Sequence, residues 1–100
     1  MQQVIGGEAN RTLGESLKSV TVFSTKFCPY CRAAESLLDR LAVEYEKVDL
    51  TGDSQARKEL VARTKMRTVP QIFFGEELIG GFDELNALHK AGGLAAKMKG

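Results

Sequence analysis

One hundred residues hold one domain around one hydrophobic core and are too few for two. Apolar residues make up 43 % and charged residues 27 %, and 14 basic against 13 acidic residues leave a net charge of +1, which argues against a nucleic-acid partner or an acidic membrane surface. No apolar run approaches the roughly 20 residues of a membrane-spanning helix, and residues 1–14 lack the basic start and apolar centre of a signal peptide, so the cytosol is the expected compartment.

In chain order, Met1 to Gly7 reads as a loose tail, and Leu13, Leu17 and Val20 fall on one face of a short packing helix over Glu8 to Ser19, interrupted by Gly14. Residues 1–19 are therefore expected to be an extension and residues 20–100 the folded domain. Val20-Thr21-Val22-Phe23-Ser24-Thr25 is β-branched and aromatic, the composition of a buried strand. It leads into Cys28-Pro29-Tyr30-Cys31. Ala34, Leu37, Leu38 and Leu41 then recur at helical spacing among charged residues. Glu44 to Leu50 predicts a second strand, Thr51-Gly52-Asp53 a turn and helix start, and Ser54 to Thr64 a helix with Ala56, Leu60 and Val61 inward and Arg57, Lys58, Glu59 and Arg63 on a solvated face. Gln71 to Phe74 and Glu77 to Ile79 form a hairpin, because Gly75-Glu76 suits a type II′ turn, which takes glycine first. A helix from Phe82 to Ala91, with Leu85 and Leu88 inward, stops at Gly92-Gly93, and Leu94 to Lys99 adds a last amphipathic turn.

The chemistry concentrates at the two cysteines, the only ones in the chain. Pro29 fits the first helical position, which makes Cys28 the N-cap. A thiol there meets unpaired backbone N–H groups and the positive end of the helix dipole, which favour the nucleophilic thiolate, and Lys26 is a candidate cation beside it. Cys31 lies one turn further in and is more covered, so Cys28 attacks and Cys31 resolves. Two cysteines at this spacing read as redox chemistry in a reducing compartment rather than as a secreted disulfide scaffold. Structural zinc takes four ligands, which two cysteines and the single His89 do not supply, so no metal is expected. His89 itself reads as a surface residue at a helix end. A right-handed crossover makes the first two strands parallel, the hairpin adds two antiparallel strands at the other edge, and helices cover both faces.

Cys28-Pro29-Tyr30-Cys31, Thr68-Val69-Pro70 and Gly80-Gly81-Phe82-Asp83, in this order and separation, resemble the signature of a dithiol glutaredoxin over about Val20 to Leu94. The resemblance implies a thioredoxin-like α/β fold with sheet order 2-1-3-4 and glutathione-dependent thiol–disulfide exchange, with glutathione as co-substrate. Its partners would be glutathionylated or disulfide-containing proteins, acted on by a monomer. It further implies that Pro70 is a cis-proline facing the thiol, with Thr68 before Val69, whose backbone pairs with the cysteinyl part of glutathione as an added strand would. Phe82 and Asp83 would receive the γ-glutamyl carboxylate on backbone N–H groups at a helix N-terminus, with Gly81 beside them in the glutathione site and the Asp83 carboxylate facing the ammonium. Tyr30 would line the groove, and Arg67 would lie near the glycine carboxylate. Many members place a lysine three residues before the first cysteine; Thr25 holds that place here, and Lys26 follows.

Two alternatives follow from the same resemblance. One is a redoxin reduced by thioredoxin reductase, against which Gly81, Phe82, Asp83 and Arg67 argue. The other is a carrier bridging a [2Fe–2S] cluster between two protomers through the first cysteine and two glutathiones, which a proline after that cysteine disfavours in the family.

Overall fold

The computed structural model describes residues 18–99. The helix expected over Glu8 to Ser19 lies outside them, except for Lys18 and Ser19, which lead into the first strand. The elements are β1 (Val20–Ser24), α1 (Pro29–Arg40), β2 (Glu46–Asp49), α2 (Ser54–Thr64), β3 (Gln71–Phe74), β4 (Glu77–Gly80), α3 (Phe82–Lys90) and α4 (Leu94–Lys99). The sheet runs β2-β1-β3-β4. β1 pairs parallel with β2 and antiparallel with β3, and β3 pairs antiparallel with β4.

The core divides by the twofold alternation of strand side chains. Val20 and Val22 of β1 and Ile72 and Phe74 of β3 pack with Ala34, Leu37 and Leu38 of α1 and with Leu85 and Leu94. The opposite set, Phe23 and Phe73, packs with Leu50, Leu60 and Val69 beneath α2. Phe23 and Phe73 meet edge to face, their centroids 5.6 Å apart. β3 is buried at all four positions because it is central and covered on both faces.

The turn between β3 and β4 has its first central residue, Gly75, at φ +62°, and Glu76 is not among the residues with positive φ, the sign pattern of type II′. Two expectations need correction. The solvated face assigned to α2 is interrupted, since the Arg63 guanidinium lies 5.0 Å above the Phe73 ring and Arg57 is half-buried. The second strand is shorter than Glu44 to Leu50, because among the described residues β2 is an edge strand paired with β1 alone. Tyr45 precedes it and packs instead against the core beside α1, and burial pushes its phenol pKa upward.

Candidate active site

β1 ends at Ser24, and the chain crosses the sheet edge to open α1 at Cys28. Cys28 is the N-cap, with φ −131° and ψ 104°, and Pro29 occupies the first helical turn. The Cys31 backbone N–H donates to Cys28 Sγ at 3.2 Å, so the sulfur takes the place of the usual capping oxygen. Cys28 keeps 9 % of its surface exposed and Cys31 only 1 %. Burial, followed by the hydrogen bond with Cys28, pushes the Cys31 thiol pKa up to about 12. The expected asymmetry of the pair therefore has a geometric basis: one sulfur caps the helix at the surface and the other lies beneath it.

The Cys28 thiol donates to the Val69 carbonyl across 3.6 Å, and the Val69–Pro70 peptide bond is cis. Pro70 is buried, Val69 half-buried and Thr68 exposed. Gln71 braces this loop. Its side-chain amide, buried in an otherwise apolar strand, donates to the Met66 and Thr68 carbonyls, each at 3.0 Å. The sequence places Gln71 in a strand without pointing to this role, for which the lone amide in the run Gln71-Ile72-Phe73-Phe74 is the available signal.

The third segment joins through Gly80 and Gly81. Gly80 has φ +127°, and a Cβ there would lie 2.9 Å from Glu84 Cγ, so this position excludes a side chain. Glu84 reaches back to accept from the Gly81 N–H at 2.8 Å, closing the first turn of α3. Phe82 and Asp83 follow as the first helical residues, where backbone N–H groups lack intrahelical acceptors. The Phe82 ring lies 6.4 Å from that of Tyr30 and tilted 32° to it, so α1 and α3 each bring an aromatic to this pair.

The basic residues are placed by their backbones. The Lys26 N–H donates to Thr51 Oγ1 at 2.9 Å and its carbonyl accepts from Arg32 at 3.2 Å, while the Arg67 carbonyl accepts from Arg57 at 3.2 Å. Both side chains are exposed, and hydrogen bonds among the described residues do not bring either charge to Cys28. His89 is half-buried in the last turn of α3. Among the described residues, no three His, Cys, Asp or Glu side chains converge on a common point.

A 2-1-3-4 sheet, a Cys-x-x-Cys opening the helix after the central parallel strand, and a cis-proline loop against the first sulfur together define a thioredoxin-fold dithiol oxidoreductase. Residues 20–79 match the glutaredoxin family model. A glutaredoxin of Pseudomonas aeruginosa is 42 % identical over 77 residues, covering 77 % of this chain and 92 % of that protein. Glutaredoxin 3 of Escherichia coli K12 is 36 % identical over 83 residues, covering 83 % of this chain and all of that one. Among solved structures, the buckwheat glutaredoxin–glutathione complex superposes with a TM-score of 0.75 at 32 % identity, covering 81 % of this chain and 76 % of that one. The Brucella melitensis glutaredoxin solution structure gives 0.75 at 36 % identity, covering 84 % and 91 %. The chain belongs to the glutaredoxin family, and its activity is thiol–disulfide exchange through an active-site cysteine pair.

Proposed function

We propose that glutathione lies along the groove formed by Tyr30, Thr68, Val69, Pro70, Gly81, Phe82 and Asp83, with Cys28 as nucleophile and Cys31 as resolving thiol. The protein is a glutathione-dependent thiol–disulfide oxidoreductase, and glutathionylated or disulfide-bearing proteins are its partners. The observation that carries the site is the Cys28 sulfur, held at the N-cap of α1 and 3.6 Å from the carbonyl before the cis-proline.

In this reading the Cys28 thiolate attacks the glutathione sulfur of a mixed disulfide. The Cys28–glutathione disulfide forms and the protein thiolate leaves. The thiolate of a second glutathione attacks the same glutathione sulfur, forming glutathione disulfide and restoring Cys28. With a protein disulfide, Cys28 attacks one sulfur, breaking the S–S bond and releasing the other as a thiolate; the Cys31 thiol then loses its proton and attacks Cys28 Sγ, releasing the second substrate thiolate. The product is an intramolecular Cys28–Cys31 disulfide that two glutathiones reduce, leaving as glutathione disulfide.

Once the Cys28 thiol has lost its proton, the Val69 carbonyl is released from its 3.6 Å contact and can accept the N–H of an incoming cysteinyl residue, as in strand addition. Backbone N–H groups at the start of α3 suit the γ-glutamyl carboxylate, and the Asp83 side chain suits its ammonium. Lys26 and Arg67 are the candidate cations for the glycine carboxylate. Residues 20–100 are read as the domain that carries the activity, with 1–19 as an extension, and the molecule is read as a monomer. No helix among the described residues is long and apolar enough to cross a membrane. The paired thiols suit a reducing compartment such as the cytosol.

The test supplies a glutathionylated peptide and one electron source at a time. Turnover with glutathione and glutathione reductase, and none with thioredoxin reductase, is the expected result. Turnover confined to thioredoxin reductase contradicts the glutathione groove and favours the redoxin alternative.

A further inference from the structure

Two large apolar side chains are strongly exposed among the described residues, Phe27 at 89 % and Tyr30 at 62 %, and they flank Cys28 on either side in sequence. Tyr30 pairs with Phe82 in the groove described above. Phe27 is not part of that aromatic pair. It stands where two open depressions meet, of about 500 and 440 Å³, which share Thr25, Lys26 and Phe27 in their walls. Arg32, Glu35 and Lys47 line the first, and Leu50, Thr51 and Arg57 line the second.

The backbone that carries Phe27 is tied on both sides. Lys26 donates to Thr51 Oγ1 at 2.9 Å and accepts from Arg32 at 3.2 Å, and Cys28 is fixed as the helix cap. Thr51 is itself anchored, since its N–H donates to Asp49 Oδ1 at 2.9 Å. The phenyl ring therefore projects from a fixed loop. An aromatic with most of its surface in water, carried on a fixed backbone next to a reacting sulfur, has the character of an anchor in protein recognition, because a side chain with few torsions loses little entropy when it is covered. Single exposed apolar residues are common on protein surfaces and mean nothing by their presence. What distinguishes Phe27 is its position one residue from the nucleophile, continuous with a site that must admit a polypeptide.

We infer that Phe27 is a specificity-determining residue that docks the polypeptide half of a glutathionylated substrate, favouring segments with an apolar residue beside the modified cysteine. This rests on the glutathione groove proposed above. With the γ-glutamyl end of glutathione on the Tyr30 and Phe82 side and its glycine end reaching towards Lys26 or Arg67, the departing protein chain is placed over the Phe27 ring, and an apolar neighbour of its cysteine covers it. The flanking depressions carry charges of both signs, so the preference is for apolar content and not for a net charge.

The experiment compares three glutathionylated substrates in the glutathione system: a peptide with leucines flanking the modified cysteine, the same peptide with aspartates, and a small mixed disulfide with no peptide. The wild type should prefer the leucine peptide. Phe27→Ser should lower kcat/KM for that peptide about tenfold, mostly through KM, and leave the small mixed disulfide within about twofold, while Phe27→Leu restores much of the loss. An equal loss on peptide and small substrate, or no loss on either, overturns the docking role and leaves the groove intact. Failure of the wild type on the small mixed disulfide overturns the glutathione reading and this inference with it.

Discussion

The two cysteines of one motif differ by environment. The Cys28 sulfur accepts the Cys31 N–H and touches the Val69 carbonyl, whereas Cys31 is enclosed and its thiol is held protonated. After burial, two further causes of the high Cys31 pKa are its hydrogen bond to Cys28 and the charge on Cys28. In the proposed mechanism the Cys28 charge is lost when Cys28 enters a mixed disulfide, which removes one of these causes and makes Cys31 easier to ionise at the resolving step. Replacement should separate the roles. Cys28→Ser abolishes exchange, while Cys31→Ser keeps deglutathionylation and loses reduction of protein disulfides, which parallel assays on a glutathionylated peptide and a peptide disulfide would read. Equal loss of both activities in Cys31→Ser contradicts the assignment. The pH dependence follows from the raised pKa. An acid whose pKa is about 9 unfolded and about 12 folded adds stability that is complete below pH 9 and declines as pH rises towards 12. Urea unfolding of the reduced protein over that range should show an alkaline loss that is smaller in Cys31→Ser.

The elements were legible where their causes are local. The β-branched run of β1, the helical spacing of Ala34, Leu37 and Leu38, the proline after Cys28 and the glycine opening the β3–β4 turn each act within a few residues, and the structure places each as expected. The braces of the site were not legible. Thr51 meets Lys26 across 25 positions, and Arg57 meets Arg67 only because α2 turns back at Lys65. Such pairs depend on topology, and a side chain that contacts a backbone N–H or carbonyl leaves no mark on the partner's residue type. Two substitutions test the elements that carry the proposed groove. Gly80→Ala combines an unfavourable φ with displacement of the Glu84 cap, and should cost about 1–3 kcal/mol in chemical denaturation. Gln71→Leu preserves the bulk of the strand but leaves two loop carbonyls without their donor. It should also cost about 1–3 kcal/mol, and should raise KM for glutathione more than it lowers kcat.

At the scale of the molecule, the order of elements sets the site. A parallel β1–β2 pair puts the cysteines at the C-terminal edge of a central strand, the usual place for a site in an open α/β sheet. The antiparallel β3–β4 hairpin returns the cis-proline loop and the start of α3 to that same edge. Three motifs separated in sequence therefore meet at one edge of the sheet, where the proposed groove closes around one sulfur, and their joint spacing carries the family resemblance where Cys-x-x-Cys alone would not. The most direct measurement of that closure uses Cys31→Ser, treated with oxidised glutathione to form the Cys28–glutathione disulfide, and compares its amide NMR spectrum with that of the reduced variant. The account predicts large shifts at the N–H groups of Val69, Phe82 and Asp83 together with those around Cys28. Shifts confined to residues 26–31, with Val69, Phe82 and Asp83 unmoved, would contradict it.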